Sequence, residues 1–121
     1  MSKTILIIED NEKHRFLLED MLDDAGYTVE TMTDGNEVNK KMSGEPRFDL
    51  IMVDIAVPGF DAIDFILRYR NKYQILVVSA YADGENVREV LPDIKRRIKK
   101  PFDTDELLKT VNEILSEELI N

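Results

Sequence analysis

Ile5-Leu6-Ile7-Ile8-Glu9-Asp10 is the stretch on which the reading of the fold turns. Four consecutive apolar residues without alternation describe a strand buried on both faces, the kind found in parallel sheets covered by helices. The run stops abruptly at two carboxylates. Leu50-Ile51-Met52-Val53 repeats the pattern and stops at Asp54. Gln74-Ile75-Leu76-Val77-Val78 stops at Ser79, and a shorter run over Arg97 to Lys99 leads into Lys100. An acidic pair, a lone Asp, a hydroxyl and a Lys therefore fall, in chain order, at successive strand ends. If the strands are parallel, all of them meet at one edge of one sheet.

The segments between these runs have helical period. Glu12 to Ala25 carries a stripe of Leu18, Met21, Leu22 and Ala25, and Gly26 suits the left-handed position past a helix end. Thr28 to Met32 reads as a half-buried strand, and Thr33-Asp34-Gly35-Asn36 as turn and cap. A weaker helix runs to about Met42 and breaks at Gly44-Glu45-Pro46. A loop at Val57-Pro58-Gly59 precedes a third helix with Ile63, Ile66 and Leu67 inward. Asp83-Gly84 opens a short fourth helix carrying Val87, Val90 and Leu91, ended by Pro92. Asp103 or Thr104 caps the fifth, which turns Leu107, Leu108, Val111, Ile114 and Leu115 inward; Glu106 completes a capping-box spacing. Five strands alternating with five helices predict an α/β fold, a parallel sheet with helices on both faces. No linker, repeat or low-complexity stretch interrupts the pattern, so residues 1–121 read as one domain.

Composition narrows the function. The 121 residues carry a formal net charge of −9, which argues against a nucleic-acid groove or an anionic membrane as the main partner. There is no cysteine, so no disulfide framework or thiolate chemistry, which suits a reducing cytoplasm. No segment approaches the roughly 20 apolar residues that span a bilayer, and Met1-Ser2-Lys3-Thr4 has no signal-peptide layout.

In open parallel sheets, ligands bind beyond the carboxyl ends of the strands. Glu9, Asp10 and Asp54 gathered there would repel one another and raise at least one pKa. A hard divalent cation resolves the conflict. Oxygen donors without His or Cys favour Mg2+ or Mn2+ over zinc. A carboxylate in such a site can attack phosphorus and form an acyl phosphate. Lys100 offers a compact positive charge to phosphoryl oxygens, and Ser79 a hydroxyl donor. Each residue alone also has an ordinary reading: a solvated loop start for Glu9-Asp10, a turn cap for Asp54, a surface charge for Lys100.

Taken together, Glu9-Asp10, Asp54 with Pro58-Gly59, Ser79-Ala80 and Lys100-Pro101-Phe102 resemble a response-regulator receiver domain of two-component signalling, over essentially the whole chain. The resemblance implies a flavodoxin-like (βα)5 sandwich of strand order 2-1-3-4-5 and a cis Lys100-Pro101 bond. It implies Asp54 as phosphoacceptor, Ser79 as switch hydroxyl and Lys100 as the phosphoryl-binding lysine. Mg2+, with Mn2+ able to substitute, would be held by Asp10 and Asp54 directly, by Glu9 through water, and by the backbone carbonyl of Ala56. The implied function is a cytoplasmic phosphorylation switch. A histidine kinase or phosphotransfer protein supplies the phosphoryl group, and the only chemistry is on the chain's own Asp54. The signal would leave through the face of the fourth helix, fifth strand and fifth helix, to a protein target or a second copy; neither nucleic acid nor membrane is expected.

Several positions depart from the family pattern. Arg97 stands where many receivers carry Tyr or Phe, and Ala62 where a Gly often sits. Ala56 and Tyr81 occupy positions that tune phosphoryl loss, and slow self-dephosphorylation is expected of them. The run Lys95-Arg96-Arg97 with Lys99 and Lys100 is either an edge strand protected by charge or a docking surface. His14, the only histidine, is expected at the surface near the kinase-docking end of the first helix. Two other classes fit less well. A haloacid-dehalogenase-type phosphatase places its nucleophile after the first strand with another Asp two residues on, where this chain has Glu12. A flavodoxin-like cofactor module needs a Ser-, Thr- or Gly-rich phosphate loop, and Asn11-Glu12-Lys13-His14 is not one.

Overall fold

The computed structural model describes residues 2–80 and 96–120. The strands are β1 (Thr4–Ile8), β2 (Thr28–Met32), β3 (Leu50–Val53), β4 (Ile75–Ser79) and β5 (Arg97–Lys99). They form one parallel sheet in the order β2-β1-β3-β4-β5. The helices among the described residues are α1 (Glu12–Asp24), α2 (Gly35–Met42), α3 (Ala62–Tyr69) and α4 (Thr104–Ile120). The strand order is the one the resemblance implies. The short helix expected over residues 83–91, with Tyr81 and Lys95, lies outside the described residues.

Period-two alternation splits the central strands between two cores. Leu6, Ile8, Ile51, Val53, Ile75 and Val77 face one side, against Val38 and Met42 of α2 and Phe65 and Ile66 of α3. Ile5, Ile7, Leu50, Met52, Leu76 and Val78 face the other, against Leu18 and Leu22 of α1 and Leu107, Val111, Ile114 and Leu115 of α4. The unbroken apolar runs are therefore two interleaved apolar faces, which is why they show no alternation.

The helices start where short polar side chains satisfy free backbone N–H groups. Asn11, Asp34 and Asp61 accept from the N–H of His14, Glu37 and Asp64 at 2.9–3.0 Å. Asp103 Oδ1 accepts from the N–H of Asp105 at 2.8 Å and of Glu106 at 3.3 Å, so Asp103 is the cap of α4.

Two local expectations shift. Leu67 is 41% exposed, and Phe65 takes its place in the buried stripe of α3. Ala25 caps α1 from an exposed position. The break after α2 at Gly44-Glu45-Pro46 is as expected, with Glu45 taking a positive φ of 50°. Gly26 has the expected positive φ of 98°, and Ala62 does not have a positive φ, so alanine costs nothing there.

Candidate functional site: a carboxylate–lysine cluster at the sheet edge

Parallel register brings the strand ends level. Ile8 pairs with Met32 on one side and Val53 on the other, and Ser79 pairs with Lys99. The residues just beyond stay in the ladder: Glu9 N–H donates to Met32 O and Asp54 N–H to Ile8 O, each at 3.0 Å. Backbone bonds thus fix the origins of the Glu9 and Asp54 side chains side by side. The Lys100-Pro101 peptide bond is cis.

Carboxylate oxygens of Glu9, Asp10 and Asp54 lie within 4.8 Å of one another. Glu9 is 2% and Asp54 6% exposed, while Asp10 is open to solvent. Lys100 reaches into the group. Its Nζ donates to Glu9 Oε1 and, at 2.9 Å, to Asp54 Oδ2. Asp54 Oδ1 accepts from the Ala56 N–H at 2.9 Å, and Glu9 Oε2 from the Asn11 N–H at 3.2 Å. Ser79 ends β4 at the same sheet edge.

The two buried carboxylates titrate in opposite directions. Burial pushes Glu9 above its usual value, with the Asp54 carboxylate adding to the rise and Lys100 only partly offsetting it. Burial acts on Asp54 as well, but the Ala56 N–H and the Lys100 ammonium outweigh it and hold its carboxyl below the usual range. Lys100 is raised: burial opposes its charge, and its bonds to Glu9 and Asp54 prevail. Of the two, Asp54 is the one whose surroundings favour the ionised form. Two buried carboxylates against one ammonium leave negative charge in excess, with Asp10 adding to it. An oxygen-only donor set with that excess fits a hard divalent cation.

The sequence reading missed the part played by His14. Only partly exposed, its ring is turned toward the site, with Nδ1 2.9 Å from Lys100 Nζ and 3.9 Å from Glu9 Oε1. Burial and the adjacent ammonium lower its pKa. One signal was available: His14 lies in the first turn of α1, directly after the acidic pair, so the helix start carries it over the strand ends. Arg97 is also more enclosed than an arginine at that position would lead one to expect. It is half-buried, and its Nη1 is shielded from solvent without a hydrogen-bond partner among the described residues.

Comparison with known proteins places this geometry. Residues 5–112 match the response regulator receiver domain family. The chain belongs to that family. It is 32% identical over 119 residues to the chemotaxis protein CheY of Thermotoga maritima, covering 94% of this chain and 98% of that one. It is 33% identical over 118 residues to the regulatory protein VanRB of Enterococcus faecalis, covering 95% of this chain but 53% of the relative. The chain thus spans about half the length of some curated relatives it matches and nearly all of others. Among solved structures, the response regulator TrrA of T. maritima in complex with Mg2+ and beryllofluoride superposes with a TM-score of 0.76 at 29% identity, covering 93% of this chain and 98% of that one. This receiver domain therefore carries at the carboxyl edge of its sheet an acidic group suited to Mg2+, the ion bound in the TrrA structure. Among the described residues, no helix is long and apolar enough to cross a membrane.

Proposed function

We propose that residues 1–121 form one receiver domain that accepts a phosphoryl group on Asp54 from a histidine kinase or phosphotransfer protein, and changes its partner-binding face in response. The observation that carries this reading is the placement of one ionised, buried carboxylate against Lys100 inside an acidic group. Mg2+ would be held by Asp10 and Asp54, by Glu9 through water, and by the Ala56 carbonyl; bound there, it supplies positive charge to offset the carboxylates and the transferring group.

Asp54 acts as nucleophile through a carboxylate oxygen, forming a bond to phosphorus as the donor's P–N bond breaks. The Ala56 N–H holds Asp54 Oδ1 and orients the carboxylate. Lys100 stabilises charge on the phosphoryl oxygens, and Ser79 donates its hydroxyl to them. The protein turns over no other substrate. The phosphoryl group's charge, about 1.5 to 2 units less the unit that Asp54 gives up on acylation, biases an equilibrium between two arrangements of the output face that includes β5 and α4. A protein target or a second copy reads that face. Ala56 has no polar side chain to orient an attacking water, so the phosphoryl group is long-lived and Ala56→Asn shortens its half-life.

Incubation with beryllofluoride, with and without Mg2+, tests the reading. Mg2+-dependent changes in the NMR spectrum around Asp54, lost in Asp54→Asn, are expected. No response in the wild-type protein would contradict it.

A further inference from the structure

Lys100 has three N–H bonds to give and no more. In this structure all three have acceptors: Glu9 Oε1, Asp54 Oδ2 at 2.9 Å and His14 Nδ1 at 2.9 Å. An ammonium can only donate, so Nδ1 is the unprotonated ring nitrogen. The arrangement is fixed from both ends. His14 N–H is tied to the Asn11 cap at 3.0 Å, and the imidazole packs edge-on against Phe102, with ring centroids 6.3 Å apart.

A phosphoryl oxygen that binds Lys100 must therefore displace an existing partner. Glu9 and Asp54 are almost fully buried carboxyl acceptors, and release would leave their oxygens short of a donor. His14 is a neutral acceptor with its side chain 41% exposed, so water replaces the ammonium at Nδ1 with little loss. Building on the reading of Asp54 as phosphoacceptor, we propose that His14 is a positioning residue for Lys100. It holds the third N–H in the resting protein and yields it to the incoming phosphoryl group. One N–H···N bond is exchanged for one N–H···O bond, or N–H···F in the analogue.

The test titrates beryllofluoride, in Mg2+, into wild type, His14→Leu, His14→Asn and Asp54→Asn, followed by NMR. Leucine keeps the packing on Phe102 and removes the acceptor; the Asn Oδ1 falls close to the position of the imidazole Nδ1 and restores it. His14→Leu is expected to bind the analogue roughly two- to tenfold more tightly, the worth of one net hydrogen bond. His14→Asn is expected to return toward the wild-type affinity. The Lys100 ammonium resonance gives a second readout: shielded from exchange in wild type and His14→Asn, broadened in His14→Leu. If His14→Leu binds like wild type or more weakly, or His14→Asn behaves like His14→Leu, the inference is overturned while the Asp54 reading stands. A wild-type protein that does not respond to beryllofluoride overturns both.

Discussion

The two edges of the sheet solve the same backbone problem with different chemistry. At the amino-terminal edge, the free groups of the strand starts pair locally. Thr4 N–H donates to Asp49 Oδ2 at 2.7 Å, Asp49 N–H to Thr4 O at 2.8 Å, Thr28 N–H to Lys3 O at 2.9 Å and Ile51 N–H to Gln74 O at 2.9 Å. At the carboxyl-terminal edge, Glu9 and Asp54 are buried beside each other with a single lysine between them. The first edge is satisfied by neutral backbone bonds and one carboxylate. The second holds more negative charge than its own cation balances. An edge that only had to be stable would resemble the first. The excess on the second is what the proposed cation would offset.

Removing the lysine should break that contrast most sharply. Lys100→Met leaves two buried carboxylates with no counter-charge, and a loss of about 3 kcal/mol is expected from urea unfolding, together with loss of the beryllofluoride response. Asp54→Asn should abolish the response as completely yet cost less than Lys100→Met, because the lost bonds of the Asp54 carboxylate to Ala56 and Lys100 are partly offset by relief of its repulsion of Glu9. Equal destabilisation by both would show the cluster to be a structural ion pair.

Glu9 sharpens the comparison through pH. A carboxyl with a raised folded-state pKa binds its proton more tightly when folded. It therefore favours folding below 4.5, and that contribution is lost as pH climbs through the raised value. Asp54 works the other way: its contribution is present above 3.8 and is lost as pH falls through its lowered value. In Mg2+-free buffer, Glu9→Gln is thus expected to be more stable than wild type at neutral pH, with the gain vanishing below pH 4.5. Thermal melts across that range check it, and an equal gain at all pH values would contradict the assignment.

The smallest effect should lie at the opposite edge. Asp49→Ala removes the Thr4 bond and is expected to cost about 1 kcal/mol, with no change in beryllofluoride affinity.

The strands were legible because burial on both faces leaves an unmistakable run, as in Ile5 to Ile8 and Leu50 to Val53. The site was legible because its residues sit at the ends of those runs, where register alone brings them level. What escaped the reading depends on angles rather than spacing. Leu67 and Phe65 are both compatible with a helical stripe, and only the docking angle of α3 decides which is buried. His14 is at the surface as expected, its side chain 41% exposed, but a lone histidine carries no motif that foretells its contact with Lys100. Its role depends on a lysine 86 residues away reaching the same point.

The most direct measurement is the mass of the protein after incubation with Mg2+ and a small acyl phosphate donor, followed by peptide mapping. One added phosphoryl group, labile to hydroxylamine and mapped to Asp54, is expected, with none in Asp54→Asn. A phosphoryl group on any other residue, or an unmodified wild-type chain under these conditions, would contradict the account.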